Sequence, residues 1–503
     1  MKTLLIDPQW QSKKIGPKLS VCCLASAVKD LVEVDILEFL LSEANINEIT
    51  DKPYFFWRRE QEFLSTIERK LLSEPEIGIV AITGWSGAFP RILRIVSICK
   101  AVRPDVKIVV GGPHVTLYER YSDPAQSILQ KYPNIDFVIA GEGEKSFREL
   151  VITTLLQKNN YNTICGLVWR NCEEVIRNNS KLSSPSFLSG ISPLWQEGDM
   201  NNSERRLFFV ESGRGCPNHC AFCDESDLWG KYRPRSAISV VDDIESGINF
   251  FSTSAFRFAD STFTANPHFD LICNEIISRQ LGVFWSAFAH SREITENKAD
   301  LLAESGCKCI LMGIESGSQK ILESMRKRTS TEIISKSVKI LKSRDIQVRG
   351  SFIVGFPREK KEDILKTIDF ACELNLDAYA WHVYQEPFYL SHQRHQFLID
   401  FAHYELDAPF EVCLQILERN SSLLSDMHTL PKLVALSKDI EPIPEKWPRK
   451  EGHILEMLKL AINKTSESRN HDFDMLINLA EEYSVRALTG FSACDCGLEQ
   501  LKD

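Results

Sequence analysis

The sequence predicts an α/β protein in three parts: a Rossmann-like parallel-sheet domain, a run of six strand–helix units, and a small, mostly helical C-terminal region. Three observations carry this. Apolar strand candidates alternate with amphipathic helices through residues 1–158, the alternation resumes across 206–392, and residues 393–503 keep only a helical pattern.

In the first part the strand candidates are Thr3–Asp7, Val34–Phe39, Ile77–Thr83, Val106–Val110 and Phe137–Ala140. Between the third and fourth, Ile92, Ile95, Val96, Cys99 and Val102 recur at helical spacing, and Pro104 ends the helix. A second helix follows Gly143, with Phe147, Leu150, Val151 and Leu155 expected on one apolar face. Alternation of this kind implies a parallel sheet with right-handed crossovers, whose ligands bind beyond the carboxyl ends of the strands. Glycine turns fall at those ends: Gly84-Trp85-Ser86-Gly87, Gly111-Gly112-Pro113-His114 and Gly141-Glu142-Gly143-Glu144. Any single one reads as an ordinary βα turn. Three in register read as one lined edge where backbone comes close to a ligand.

Residues 159–205 read as a connector with a hairpin, Thr163–Trp169 and Glu174–Arg177 around Asn171-Cys172-Glu173. From 206 the six strands are expected near Leu207–Glu211, Phe256–Asp260, Val283–Ala289, Cys309–Ile314, Val348–Val354 and Ala378–Tyr384. Helical patterns lie between them, such as Ile333, Val338, Ile340 and Leu341. Polar residues collect after the strands: Asp260-Ser261-Thr262, His290-Ser291-Arg292, Glu315-Ser316-Gly317-Ser318, Gly355-Phe356-Pro357 and Gln385-Glu386-Pro387. Each also reads as a helix cap or turn. The last part has a break at Pro442, Pro444 and Pro448 and closes on Cys494 and Cys496, a pair that reads as incidental for want of further metal ligands.

Of the 503 residues, 43% are apolar and 25% charged, ordinary values for a globular chain. The formal net charge of −10, with residues 401–503 summing to about −7, argues against nucleic-acid binding. Fifteen cysteines show no disulfide spacing, the opening MKTLLIDPQW lacks a signal-type apolar run, and no stretch is long enough to span a bilayer. The expected setting is a reducing cytoplasm.

Cys216, Cys220 and Cys223 stand in ESGRGCPNHCAFCDES, directly after the first strand of the six-unit run. Three thiolates on one short loop suit three irons of a 4Fe-4S cluster and leave the fourth iron for a small molecule. A zinc site with His219 as fourth ligand is the competing reading, strained because His219 adjoins Cys220; inert buried thiols are another.

This cysteine run, with Phe222 before the third cysteine, resembles that of the radical S-adenosylmethionine (SAM) enzymes. The resemblance implies an open six-unit (β/α) barrel whose cluster binds SAM at the open iron and cleaves it to a 5′-deoxyadenosyl radical. GIESGS and GSFIVGFP resemble the family's SAM-binding motifs, which places SAM contacts on Glu315, Ser316, Ser351 and Gly355, with Asp260 a further SAM or substrate contact. The GGPH and GEGE turns resemble the cobalamin-binding domain that precedes the barrel in cobalamin-dependent members, so Gly84–Gly87, Gly111–His114 and Gly141–Glu144 are expected at cobalamin. The cobalt-ligating Asp-x-His-x-x-Gly motif of the methionine synthase type is absent, and His114 is expected as a loop residue rather than a ligand. The resemblance implies a radical C-methyltransferase acting on a small molecule or peptide, supplied with electrons by a flavodoxin or ferredoxin. Cobalamin-dependent rearrangement or cyclisation without methyl transfer is the alternative, and a non-catalytic iron–sulfur protein a second. A tRNA methylthiotransferase fits less well, because Cys22, Cys23 and Cys99 lack the distribution of a second cluster and the tail is acidic.

Overall fold

The computed structural model describes residues 1–42, 55–85, 88–122, 125, 127–158, 160–172, 174–195 and 205–384, together with Leu460, Lys464 and Thr465. The expected helical region 393–503, its Cys494/Cys496 pair, the turn Gln385–Pro387, and Ser86 and Gly87 lie outside the described residues, except for those three positions.

The first sheet is built on β1 (Lys2–Ser12), β2 (Glu33–Leu41), β3 (Ile77–Thr83), β4 (Lys107–Gly111) and β5 (Phe137–Ile139), all parallel, in the order β2-β1-β3-β4-β5. Strands β3 and β4 are nearly continuous apolar runs because both of their faces are covered. The order reverses between β1 and β3, so a crevice opens there at the carboxyl ends.

Residues 159–205 are more than a connector. Their hairpin, β6 (Leu167–Asn171) and β7 (Glu174–Arg177), pairs antiparallel onto β5 and extends the first sheet to seven strands. An apolar β5 edge left bare would invite pairing from outside, and β6 covers it. Trp195, further along the same segment, packs edge-on against Phe208 and Phe251 of the second sheet's layer.

The second sheet has six parallel strands in sequence order: β8 (Phe208–Val210), β11 (Ala255–Phe258), β12 (Phe284–Ala289), β13 (Cys307–Glu315), β14 (Gln347–Val354) and β15 (Ala378–Val383). Among the described residues no pairing joins β15 to β8, so the barrel is open. A two-residue ribbon, β9 (Gly213–Arg214) with β10 (Arg233–Pro234), follows β8. Alternation in β14 turns Val348, Phe352 and Val354 to the outer core and leaves Arg349 and Ser351 on the inner face.

One apolar core runs from Leu5 and Phe147 of the first domain through Phe208 to Trp381 of the last strand. The chain between β1 and its first helix also touches the second sheet: Ile15 bridges Leu207, and the Arg205 guanidinium donates to the Ile15 carbonyl and pairs with Glu38 at 3.0 Å. Two helical faces differ from expectation. Leu155 is exposed at the end of Gly143–Leu155, and in Thr331–Lys342 it is Ile334, not Ile333, that is buried with Val338 and Leu341. No helix among the described residues is long and apolar enough to cross a membrane.

Gly112 is required by its backbone. Its φ is +100°, and a Cβ there would lie 2.7 Å from Gly84 N and from Thr83 Oγ1. Gly112→Ala is expected to cost about 1–3 kcal/mol. Gly111→Ala, whose Cβ would meet only Ile139 O at 3.6 Å, should be close to neutral. Urea midpoints compare the two variants.

Candidate functional site

The cysteine loop leaves β8 through Gly215, whose φ of +93° and whose Cβ position, 2.7 Å from the Gly230 and Lys231 carbonyl oxygens, admit no side chain. Its far side is tied down by Ala221 N–H, which donates to Met325 O at 2.8 Å. The Asn218 amide reaches Cys216 Sγ at 3.8 Å, and the Glu225 backbone N–H donates to Cys223. Burial pushes all three thiol pKa values up, while the Lys327 ammonium pulls that of Cys220 back down. A bound metal centre overrides burial by deprotonating its thiol ligands. Among the described residues no three His, Cys, Asp or Glu side chains converge on a single metal ion. Three soft donors spread over one anchored loop match the needs of a cluster.

Glu315 stands at the carboxyl end of β13 with φ +67° and is buried against Lys327, Oε1 to Nζ 2.8 Å. Gly313 makes room for the pair, because a Cβ there would run into both side chains. Lys327 also lies over the Phe222 ring at 5.6 Å, so one buried cation links the cysteine loop to the Glu315 carboxylate. Ser351 faces the barrel interior. The Gly355 turn, φ +82°, is fixed by Glu359, whose Oε2 accepts from the Gly355 and Phe356 N–H groups, and burial raises the Glu359 pKa to about 7.

Two further expected SAM contacts have hydrogen-bond partners within the protein. The Ser316 hydroxyl is fully buried, 3.0 Å from Thr367 Oγ1, and accepts from Ser318 N–H, so it braces the turn behind Glu315. Asp260 is also occupied. It accepts from Ser212 N–H (2.9 Å), Ser212 Oγ (2.6 Å) and Tyr232 OH (2.7 Å), and burial raises its pKa to about 6. It anchors the start of the cysteine arm.

The three glycine turns come together as expected. Gly84 and Trp85, Gly111 to Pro113, and Gly141 to Glu144 border one cavity of about 260 Å³ at the β1/β3 reversal, floored by Leu5, Val109, Ile139 and Phe147. Arg214, Trp229 and Glu211 of the second domain complete its wall. An apolar floor with a glycine rim suits a ligand with an apolar body held by backbone groups. Asp7, on the wall, has its pKa raised to about 6 by burial.

His114 does not reach that cavity. Its ring is buried between Phe89 (centroids 4.4 Å apart) and Tyr118, and burial drives its pKa down to about 3. The chain therefore places no histidine of these turns at the cavity. Glu142 and Glu144 border it, but their carboxylates are engaged across the domain boundary. Glu144 holds Arg214 at 2.6 Å, and Glu142 holds Arg233 at 2.7 Å. Arg214 also grips Glu211 at 2.9 Å, and it lies two residues before Cys216. Arg214, Arg233, Lys327 and Glu359 escaped the sequence reading. Only the GEGE run hinted that basic partners were needed.

Replacing Glu144 by Gln removes the shortest carboxylate contact of Arg214 and leaves Glu211 at 2.9 Å, so it should cost about 1–3 kcal/mol. Burial raises the Glu144 pKa, but Arg214 overcomes this and holds it below the ordinary carboxylate value. The pair therefore stabilises the fold fully above that ordinary value and loses its contribution as pH falls through the lower folded pKa. Urea melts of wild type and E144Q across the acid range should converge as pH falls. Likewise Lys327→Met, which strands Glu315, should lose about 3–5 kcal/mol, and Lys327→Arg should recover most of it; denaturation midpoints decide.

Residues 210–371 match the Radical SAM superfamily model, and residues 11–151 match the B12 binding domain. An uncharacterized methyltransferase of Pyrococcus horikoshii, PH0819, is 29% identical over 405 residues, covering 77% of this chain and 81% of that one. The anaerobic magnesium-protoporphyrin IX monomethyl ester cyclase of Rubrivivax gelatinosus is 28% identical over 61% of this chain and 56% of its own. Among solved structures, the radical SAM methyltransferase TsrM of Kitasatospora setae, with tryptophan and a SAM analogue bound, shares the fold at TM-score 0.62 and 18% identity, covering 76% of this chain and 72% of that one. With both domain models matched in this order on one chain, the cysteine loop after β8 and the glycine-lined cavity beside it, the protein belongs to the cobalamin-dependent radical SAM enzymes.

Proposed function

We propose that the protein methylates an unactivated carbon of a small-molecule or peptide substrate. The observation that carries this is the shared wall: Arg214 and Trp229 line the first domain's cavity, and Arg214 opens the loop that bears the cysteines. When bound, the cluster and SAM supply a carbon radical and cobalamin supplies a methyl group. The protein's part is to hold and shield these groups.

Cys216, Cys220 and Cys223 hold the cluster. Glu315, steadied by Lys327, accepts hydrogen bonds from SAM hydroxyls, with Ser351 and the Gly355 turn beside it. Gly84, Trp85, Gly111, Gly112, Pro113, Gly141 and Gly143 would border the cobalamin, while His114 packs against Phe89 outside that cavity. Asp260 and Glu359 act one layer back, fixing loops rather than touching ligands. A flavodoxin or ferredoxin supplies the electron. The methyltransferase relatives support this assignment. The likeness to magnesium-protoporphyrin ester cyclases favours a second reading, radical cyclisation without methyl transfer.

Anaerobic reconstitution with iron, sulfide and excess hydroxocobalamin, followed by dithionite and methyl-deuterated SAM with a small-molecule and peptide extract as acceptor, tests both. Methylation yields 5′-deoxyadenosine and a deuterated product; cyclisation yields 5′-deoxyadenosine with no label transferred. Protein that stays corrinoid-free, or a Cys216→Ser/Cys220→Ser/Cys223→Ser variant that keeps a full cluster, overturns the assignment.

A further inference from the structure

The two loops that adjoin the cysteine loop are basic, although the chain as a whole carries a formal net charge of −10. Residues Lys320–Arg328 and Gly355–Lys361 together hold seven basic side chains and two acidic ones. Of the acids, Glu359 is turned inward to cap the Gly355 turn. Lys327 is buried on Glu315, whereas Arg326, Arg328, Arg358 and Lys320 are exposed.

These loops touch the cysteine loop directly. Ala221 N–H donates to Met325 O, and Ala221 and Phe222 pack into the apolar patch of Ile321, Met325 and Phe356. The two segments also meet each other, since Ile321 and Met325 share an apolar cluster with Phe356, and Lys320 reaches Asp363, just beyond the second segment, at 3.6 Å. The Arg328 charge extends as far as Cys220. The exposed basic face therefore lies one side-chain layer from the cluster ligands.

A second observation concerns the backbone. Arg326, Arg328 and Arg358 have φ of +52°, +54° and +69°, the left-handed region in which glycine is the unstrained choice. The chain carries arginine at all three. Among the described residues these three form no ion pair to an acidic side chain. Strain kept at exposed charged positions points to use of the side chains.

We infer that the Arg326–Arg328–Arg358 face is the docking surface for a small acidic one-electron carrier protein, which passes its electron through the Ala221–Met325 contact layer to the cluster. This rests on the radical SAM reading. In the step, the carrier's reduced centre loses one electron and the oxidised cluster gains it, with no bond made or broken. Opposite charge on the partner steers encounter, and salt weakens it.

The test is anaerobic reduction of the reconstituted full-length protein by an acidic flavodoxin, held reduced by its reductase, with dithionite as the small-molecule control. The cluster signal is followed by electron paramagnetic resonance across a salt series. The double variant R326E/R358E leaves Arg328 in place, the arginine whose charge reaches Cys220. Flavodoxin-driven reduction is expected to fall by about ten-fold or more in this variant and to lose its salt dependence, with dithionite reduction unchanged and R326K/R358K close to wild type. Equal loss with both reductants, or flavodoxin reduction that is unchanged or salt-independent in the wild type, overturns the docking surface; in the last case the acidic residues 401–503 become the alternative occupant. Failure of dithionite to produce a reduced cluster in the wild type sinks the family reading itself.

Discussion

Everything at the candidate site depends on a buried clasp of charge between the two domains. Glu142 and Glu144 come from the first sheet's last parallel turn, and Arg214 and Arg233 from the ribbon that follows the first barrel strand. Away from water, each charge is tolerable only because its partner is in place. The clasp thereby fixes the distance and tilt between the glycine-lined cavity and the cysteine loop. A weaker, solvated contact would let two domains drift, as interfaces within a chain commonly do. The clasp and the continuous apolar core act together: the core holds the layers, and the clasp sets their register.

Inside the barrel the same economy of charge recurs. Glu315 is kept at a strained φ by Lys327, which in turn lies on Phe222 of the cysteine loop. The carboxylate, the cation and the loop form one rigid train. Asp260, with Ser212 and Tyr232, does the corresponding work on the opposite side of the loop. Preorganisation of this kind suits a radical reaction, whose hazard is reaction with the wrong partner.

Much of this was legible in the sequence because it is local. Strand periodicity placed all six barrel strands, and the cysteine run and glycine turns announce themselves by spacing. What was not legible depends on which way a side chain turns once the tertiary structure exists. His114 and Gly112 are neighbours in sequence, yet one faces Phe89 and the other the cavity rim. Glu144 was legible as a residue of the cavity edge, whereas its partner Arg214, 70 residues away and without a motif, was not. The motif shows the Ser316 hydroxyl but not Thr367, 51 residues on, to which it is hydrogen-bonded. The hairpin read as a connector because strand pairing across a domain boundary leaves no periodic trace.

The bridge between Ile15 and Leu207 has a meaning for how the molecule comes into being. The segment just after the first strand waits for a partner made nearly two hundred residues later, and Glu144 waits 70 residues for the arginine that neutralises it. Closing so long a loop costs entropy that local contacts do not offset. A chain emerging from its N-terminus can form the first sheet early, but must keep that carboxylate in water until the barrel's opening ribbon arrives. The interdomain seam therefore dries only once the barrel's opening ribbon has been made, which couples assembly of the two sites.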